Sequence, residues 1–266
     1  FKGGPIYARR LIKTEWEIEQ IQKTQRAGEE ALGNVFEFLR HCAIQGDFVY
    51  DKNIQVTSEM LQGMIRWDLD RLNYSVPLGT IIASGIQSAS PHMMGEGPIF
   101  ARTPIIFDIF PRDNKTHFWG DMTRVGFKGE PPKAVRKMYD TVLAGQKLGI
   151  DLIKAGIDGA YICESVTNFF ESEGYSTDMY ASDPEGFIHS FGHGVGQEIH
   201  EPLRLGKRRG DDSDVKILEA GNVITPEPGL YYKKIGGVRI EDIVVVEKDG
   251  CRNLNTFPKD FDSMIL

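Results

Sequence analysis

Apolar positions in this chain recur first at helical spacing and then at strand spacing, and the sequence runs through that change twice. Ala27, Ala31, Leu32, Val35, Phe38, Leu39 and Cys42 repeat every three or four residues behind Thr14-Glu-Trp-Glu17, which has the form of a capping box. They predict a long helix ending near Gln45-Gly46. Thr57 is the expected cap of a second helix, with Met60, Leu61, Met64, Ile65 and Leu69 on its apolar face. The period then shortens: Thr80 to Ser84, Pro104 to Phe110 and His117 to Val125 are rich in branched and aromatic residues and bounded by Gly, Pro and Asn, as strands are. After Gly129-Glu-Pro-Pro132 the helical spacing returns (Val135, Met138, Tyr139, Val142, Leu143, Leu148, Leu152) and stops at Gly156, and a further helix runs from about Tyr161 to Gly174. Strand-like runs close the chain at Asn222 to Thr225, Leu230 to Ile235 and Val238 to Glu247. Helix, helix, strands, occurring twice, predicts a pseudo-symmetric α+β fold with helices outside one central sheet and a site where the halves meet. No linker or low-complexity segment interrupts the order, so residues 1–266 read as one domain.

Several of these strands carry an acid where the pattern calls for an apolar residue. Strand alternation puts Asp108 on the same face as Ile106 and Phe110, and Glu241 and Glu227 interrupt Gly-Gly-Val-Arg-Ile-Glu-Asp-Ile-Val-Val-Val and Val-Ile-Thr-Pro-Glu-Pro-Gly-Leu-Tyr. Asp121 is a fourth, on the strand expected to pair with that of Asp108. A carboxylate buried on a core face is costly unless it is paired or binds a cation. Taken singly, each has an ordinary explanation: protonation of Asp108, a turn at Glu227, ion pairs of Asp121 with Arg124 and of Glu241 with Arg239.

The stretch His189-Ser-Phe-Gly-His-Gly-Val-Gly-Gln-Glu-Ile-His-Glu201 makes the joint explanation harder. It holds three of the six histidines, and Gly192, Gly194 and Gly196 alternate around His193, as expected if something approaches that ring closely. Four carboxylates and a neutral imidazole total −4, which two divalent cations cancel. Mixed oxygen and nitrogen donors suit manganese, cobalt, iron or zinc, with manganese favoured.

Composition narrows the alternatives. With 31 basic and 38 acidic residues the net charge is −7, which argues against a nucleic-acid surface. Lys207-Arg208-Arg209, answered by Asp211, Asp212 and Asp214, reads as a solvated loop. Cys42, Cys163 and Cys251 form no CxxC pair, so neither a disulfide framework nor a cysteine zinc site is expected, and a reducing, cytoplasmic setting is the default. No apolar run reaches the roughly 18 residues of a membrane span. The sequence opens on Phe1 instead of methionine, which leaves room for an upstream domain.

Five motifs in order give the chain a resemblance over nearly its whole length: Asp108 on a strand, Asp121-x-Thr123-Arg124, His193-Gly-x-Gly, Thr225-x-Glu227-Pro-Gly-x-Tyr231, and Arg239-x-Glu241-Asp. It resembles the pita-bread metallopeptidases, the family of methionine aminopeptidase, prolidase and Xaa-Pro aminopeptidase. The resemblance implies that Asp108 chelates one metal, that Asp121 and Glu241 bridge two, and that His193 and Glu227 complete the second. It implies catalytic roles for His92, His200 and Glu227 around the scissile bond, supporting roles for Thr225 and Arg239 in orienting the carboxylates, and a weaker place for His189 in the same cavity. The implied activity is a two-metal exopeptidase acting on Xaa-Pro bonds, with a peptide as substrate and a homodimer as assembly. Methionine aminopeptidase, and a binding protein on the same fold, stay open. Asp108 and Asp121 lie two positions further apart than this resemblance leads one to expect, so the hairpin with Pro111, Arg112 and Asp113 is longer and the pocket differs in shape.

Overall fold

The computed structural model describes residues 9–208 and 217–266. Helix α1 (Glu15–His41) starts where the capping box places it: the Glu17 amide donates to Thr14 Oγ1 at 3.3 Å, and the Thr14 amide donates to Glu17 Oε2 at 2.7 Å. It stops four residues before the predicted end. Gln45 pairs with Phe48 across the two-residue turn Gly46-Asp47, with Gly46 at φ +62°, so strands β1 (Ala43–Gln45), β2 (Phe48–Asp51) and β3 (Ile54–Gln55) form a small meander. A tight-turn signal outweighed the last turn of a helical period. Helix α2 (Ser58–Arg71) is capped by Thr57, whose hydroxyl accepts from the Met60 amide, and it buries Leu61, Ile65 and Leu69 as expected.

Strands β4 (Tyr74–Ser75), β5 (Ile81–Ser84), β6 (Ile105–Ile109), β7 (Arg112–Asp113) and β8 (Met122–Gly126) follow. The order β5-β6-β8 is antiparallel, with Asp108 opposite Thr123. The predicted strand from His117 begins only at Met122, because His117 adopts φ +63° and the longer hairpin folds back as a separate β4-β7 ribbon. Asp121 therefore stands at the mouth of its strand. The second pair of helices, α3 (Lys133–Leu152) and α4 (Gly159–Ser172, capped by Asp158), leads to β9 (Gly192–Gly194), β10 (Glu201–Leu205), β11 (Val223–Ile224), β12 (Gly229–Tyr232), β13 (Gly236–Arg239), β14 (Val244–Val246) and β15 (Cys251–Asn253).

Instead of one continuous sheet, the described residues form five antiparallel ladders, among them β10-β9-β11-β14-β15 and β12-β13. The predicted strand Val238 to Glu247 is cut in two, since residues 240–243 cross from β12-β13 to the five-stranded ladder. The Glu241 amide donates to the Thr123 carbonyl at 3.1 Å and the Ile243 amide to Asn255 Oδ1 at 2.7 Å, so the crossing segment is tied to β8 of the other half. One apolar core runs through both halves, and a second, containing Ile18, Ile21, Trp119, Val195, Val223 and Ile243, lies behind the His193 segment. The three cysteines are free thiols. Among the described residues no helix is long and apolar enough to cross a membrane. Most of the basic loop at 207–214 lies outside the described residues; within them Arg208 pairs with Asp158 at 3.0 Å.

Candidate functional site

The five predicted ligands converge on one cavity of about 560 Å³, which is also lined by His92, His189, His200 and Arg239. Asp108 comes from β6, Asp121 from the mouth of β8, His193 from β9, Glu227 from the turn before β12, and Glu241 from the crossing segment. Donor atoms of Asp121, His193 and Glu241 all lie within 4.8 Å of one another. His193 Nε2 stands 3.5 Å from Asp121 Oδ2 and 3.6 Å from Glu227 Oε1.

Protonation is forced on this cluster by its surroundings. Burial, then the charge of Glu241 and Asp108, pushes Asp121 well above the carboxylate range, and burial with Glu241 does the same to Glu227. Glu241 is raised to about 8 by burial and Asp108, although Arg239 and the Thr123 and Thr225 hydroxyls oppose the rise. Burial and the neighbouring His200 lower His193 to about 3, so its ring is neutral. Its Nδ1 lies 3.2 Å from the Gly194 carbonyl, which can only accept. The single ring proton therefore belongs on Nδ1, and Nε2 aims a lone pair between two carboxylates.

That arrangement fits a divalent cation. Asp108 Oδ1 and Glu241 Oε1 are buried with no hydrogen-bond partner among the described residues, and both residues line the cavity. In the metal-free chain protons on the acids relieve the repulsion between that lone pair and the facing carboxyl oxygens. A divalent cation relieves it in their place, and oxygen-rich donors with one imidazole match such ions. Neither ordinary ion pair considered for Asp121 and Glu241 forms. Arg124 is taken by Asp242 at 2.8 Å, and Arg239 by Asp108 at 2.5 Å.

The supporting residues divide more finely than the sequence suggested. Arg239 donates to Asp108 Oδ2, to the Tyr231 hydroxyl at 2.8 Å and to Thr123 Oγ1 at 3.1 Å, while Thr123 donates to Glu241 Oε2 at 2.8 Å. Thr225 holds His193, its hydroxyl accepting from the His193 amide at 3.3 Å. His189 lines the cavity with both nitrogens engaged, by the Ser190 carbonyl and the Tyr231 hydroxyl. His200 stands with its ring 4.3 Å from that of His193, at 82°, and His92 is exposed at the mouth. The alternating glycines admit the chain itself to the His193 strand. A Cβ on Gly192 would meet the Thr225 carbonyl oxygen at 1.9 Å, and one on Gly196 would meet Glu201 Oε1 at 2.5 Å. What approaches closely at these glycines is the chain's own Thr225 carbonyl and Glu201 side chain.

Sequence reasoning missed Tyr231, although it closes the quoted Thr-x-Glu-Pro-Gly-x-Tyr motif, and it missed Gln146, which carried no signal. Buried in α3, Gln146 donates through Nε2 to the carbonyls of Pro226 and Ile240, both at 3.1 Å, and accepts from Lys259. One amide thus fixes the residues preceding Glu227 and Glu241. Gln146→Leu is expected to destabilise the chain by about 2 kcal/mol by orphaning those carbonyls, and to weaken cation binding about tenfold or more. Urea unfolding and calorimetric titration with manganese measure the two effects.

A pH dependence follows for the metal-free chain. Glu241, raised from 4.5 to about 8, keeps a proton in the folded state that the unfolded chain has lost. Its contribution to stability is complete below the unfolded value and disappears as pH rises through about 8. His193 and His189, lowered from 6.5 to about 3, contribute above the unfolded value and lose that contribution as pH falls. Thermal unfolding in chelator is thus expected to show Tm falling between about pH 7 and about pH 9, where the histidines no longer change, with manganese reversing the fall.

Comparison with known proteins gives the chain a family. The model of metallopeptidase family M24 matches residues 19–248. The chain is 32% identical over 246 residues to an Xaa-Pro dipeptidase of Pyrococcus furiosus, covering 92% of this chain and 63% of that protein. Among solved structures, the prolidase from Pyrococcus furiosus superposes with a TM-score of 0.79 at 30% identity, covering 95% of this chain and 67% of that one. The Xaa-Pro dipeptidase from Bacillus anthracis gives a TM-score of 0.81 at 28% identity, covering 98% and 66%. This chain therefore spans just under two thirds of the length of the curated relatives it matches. The four acids and His193 of the buried cluster fall inside the family match, and the chain belongs to metallopeptidase family M24.

Proposed function

We propose that this chain carries the active site of a dinuclear metal-dependent exopeptidase that cleaves Xaa-Pro bonds at peptide N-termini, on a pita-bread fold. The observation that carries the reading is the His193 lone pair facing Asp121 and Glu227 beside the orphaned oxygens of Asp108 and Glu241. Asp108, Asp121, His193, Glu227 and Glu241 would hold two divalent cations, with manganese favoured over cobalt, zinc and iron. Such ions supply Lewis acidity to a peptide carbonyl and to the attacking water.

The protein's own groups do the rest. Glu227, which lines the cavity 3.6 Å from His193 Nε2, accepts the water proton on a carboxylate oxygen and returns it to the leaving amine. His200, across from His193, and His92, at the mouth, donate hydrogen bonds to the peptide around the scissile bond. Arg239 fixes Asp108. Phe110, Ile199 and Leu203 line the cavity and shield it from bulk water. A cavity of about 560 Å³ has room for a short peptide. Xaa-Pro specificity is supported by the relatives named Xaa-Pro dipeptidase and prolidase.

Elemental analysis of protein purified without chelator, paired with hydrolysis of Xaa-Pro and Met-Xaa peptides in manganese or cobalt, tests the reading. Two ions per chain with Xaa-Pro cleavage is the expected result. Cleavage of Met-Xaa peptides alone would move the chain to the methionine branch, and failure to bind metal would move it to a binding role.

A further inference from the structure

The segment that carries His200 has no regular structure of its own. Residues 196–200 form a bend between β9 and β10, and the β9-β10 register shifts between Glu201 and Arg204. Such a bend holds one shape only if something is built into it. Here it folds around the carboxylate of Glu201: Oε1 accepts from the Gln197 amide at 3.0 Å, and the same oxygen lies so close to Gly196 that a side chain there would collide with it. The outer side of the bend is anchored by Trp119, whose amide donates to the Gly196 carbonyl at 2.9 Å and whose indole donates to that of Gln197 at 3.2 Å.

Glu201 is itself held by two cations from the start of the chain. Lys13 Nζ lies 2.5 Å from Oε2, with the two side chains 2% and 1% exposed, and Arg10 Nη2 lies 2.8 Å from Oε1 while its Nη1 reaches Glu198. The segment bearing these cations is fixed in turn to the residues leading into β11. The Lys13 amide donates to the Gly221 carbonyl at 2.8 Å, and Asn222 donates to that of Leu11 at 2.9 Å. A buried ion pair of this kind is a poor source of stability, because apolar residues of similar size commonly serve as well. What it supplies is direction. Glu201 immediately follows His200, lines the same cavity and pairs across the ladder with Gly194, the neighbour of His193.

We propose that Lys13 and Glu201 are positioning residues that set the His200 ring against His193. The proposal rests on the peptidase reading for its effect on turnover, but its structural half stands independently. With their side chains buried against one another, Lys13 and Glu201 act through the bend.

Four variants test it: Glu201→Gln, Lys13→Met with Glu201→Leu, His200→Ala, and Glu201→Gln with His200→Ala. In metal-free protein with labelled histidines, the nuclear Overhauser contact between the His193 and His200 rings is expected to vanish in Glu201→Gln. In loaded protein, kcat is expected to fall about 10- to 100-fold with KM within about twofold and two ions retained. The apolar pair is expected to keep Tm near that of the parent while turnover falls as in Glu201→Gln. The combined Glu201→Gln and His200→Ala variant is expected to be no slower than His200→Ala alone. An unchanged ring contact, parental turnover in the apolar pair, or losses that multiply in the combined variant would each overturn the proposal. If the apolar pair does not fold, Glu201→Gln decides. A parent chain that loads metal but cleaves no peptide would count against the peptidase reading, and the ring contact would still decide this one.

Discussion

Glu241→Gln is expected to give a metal-free protein more stable than the parent and unable to load both ions or turn over peptide. In the parent, this carboxyl is raised from 4.5 to about 8 by burial and Asp108, so ionising it at alkaline pH opposes folding. A tenfold change in proton affinity corresponds to about 1.4 kcal/mol, and removing the charge is expected to return about 2–4 kcal/mol near pH 9 in chelator. Glutamine keeps the volume and an oxygen to accept from Thr123, so no cavity offsets the gain, and its amide nitrogen takes a position that already lacks a partner. The orphaned oxygen is what the substitution replaces with an amide nitrogen, which cannot ligate a cation. Denaturant unfolding in chelator, elemental analysis and a peptide assay read the three effects. A variant less stable than the parent, or one that still binds two ions, would show that Glu241 is a structural acid whose neighbours hold it for another reason. Stability and metal binding moving in opposite directions distinguishes a site from a core.

The acids were legible in the sequence because each broke an alternation that the rest of its strand kept. Asp108 between Phe107 and Ile109 needs no structure to look out of place, and the helix starts at Thr14 and Thr57 were readable because a cap is a local signal. Legibility failed where the cause was distant. Nothing near Val238 to Glu247 signals that its strand leaves one ladder for another, because the reason is the Thr123 carbonyl, more than a hundred residues earlier. Gln146 sits on a helix where glutamine is an ordinary residue, and its importance comes from two carbonyls on other segments. Local chemistry picked out groups that the fold brings to one cavity. The hydrogen bonds that aim them link residues far apart in sequence, and spacing does not encode those.

Arg239 is where those long-range bonds concentrate, and Arg239→Met is expected to destabilise the metal-free chain by about 3–5 kcal/mol. Its guanidinium meets Asp108, the Tyr231 hydroxyl, Thr123 Oγ1 and, at 3.3 Å, the Pro91 carbonyl beside His92. Removing it leaves Asp108 buried with neither oxygen paired, and breaks the run of hydrogen bonds from Arg239 through Tyr231 to His189. Cations are still expected to bind, since the variant raises the negative charge of the cavity, but Asp108 loses its orientation and turnover is expected to fall about 100-fold. Arg239→Lys separates charge from geometry. An ammonium restores the positive charge beside Asp108, so part of the stability should return. It cannot reproduce the planar fork that reaches four partners from one plane, so turnover should not. Unfolding free energies and kcat measured on both variants make the comparison. Full recovery of turnover by lysine would mean that Arg239 acts through its charge alone, and that the aim of Asp108 is set by β6 without its help.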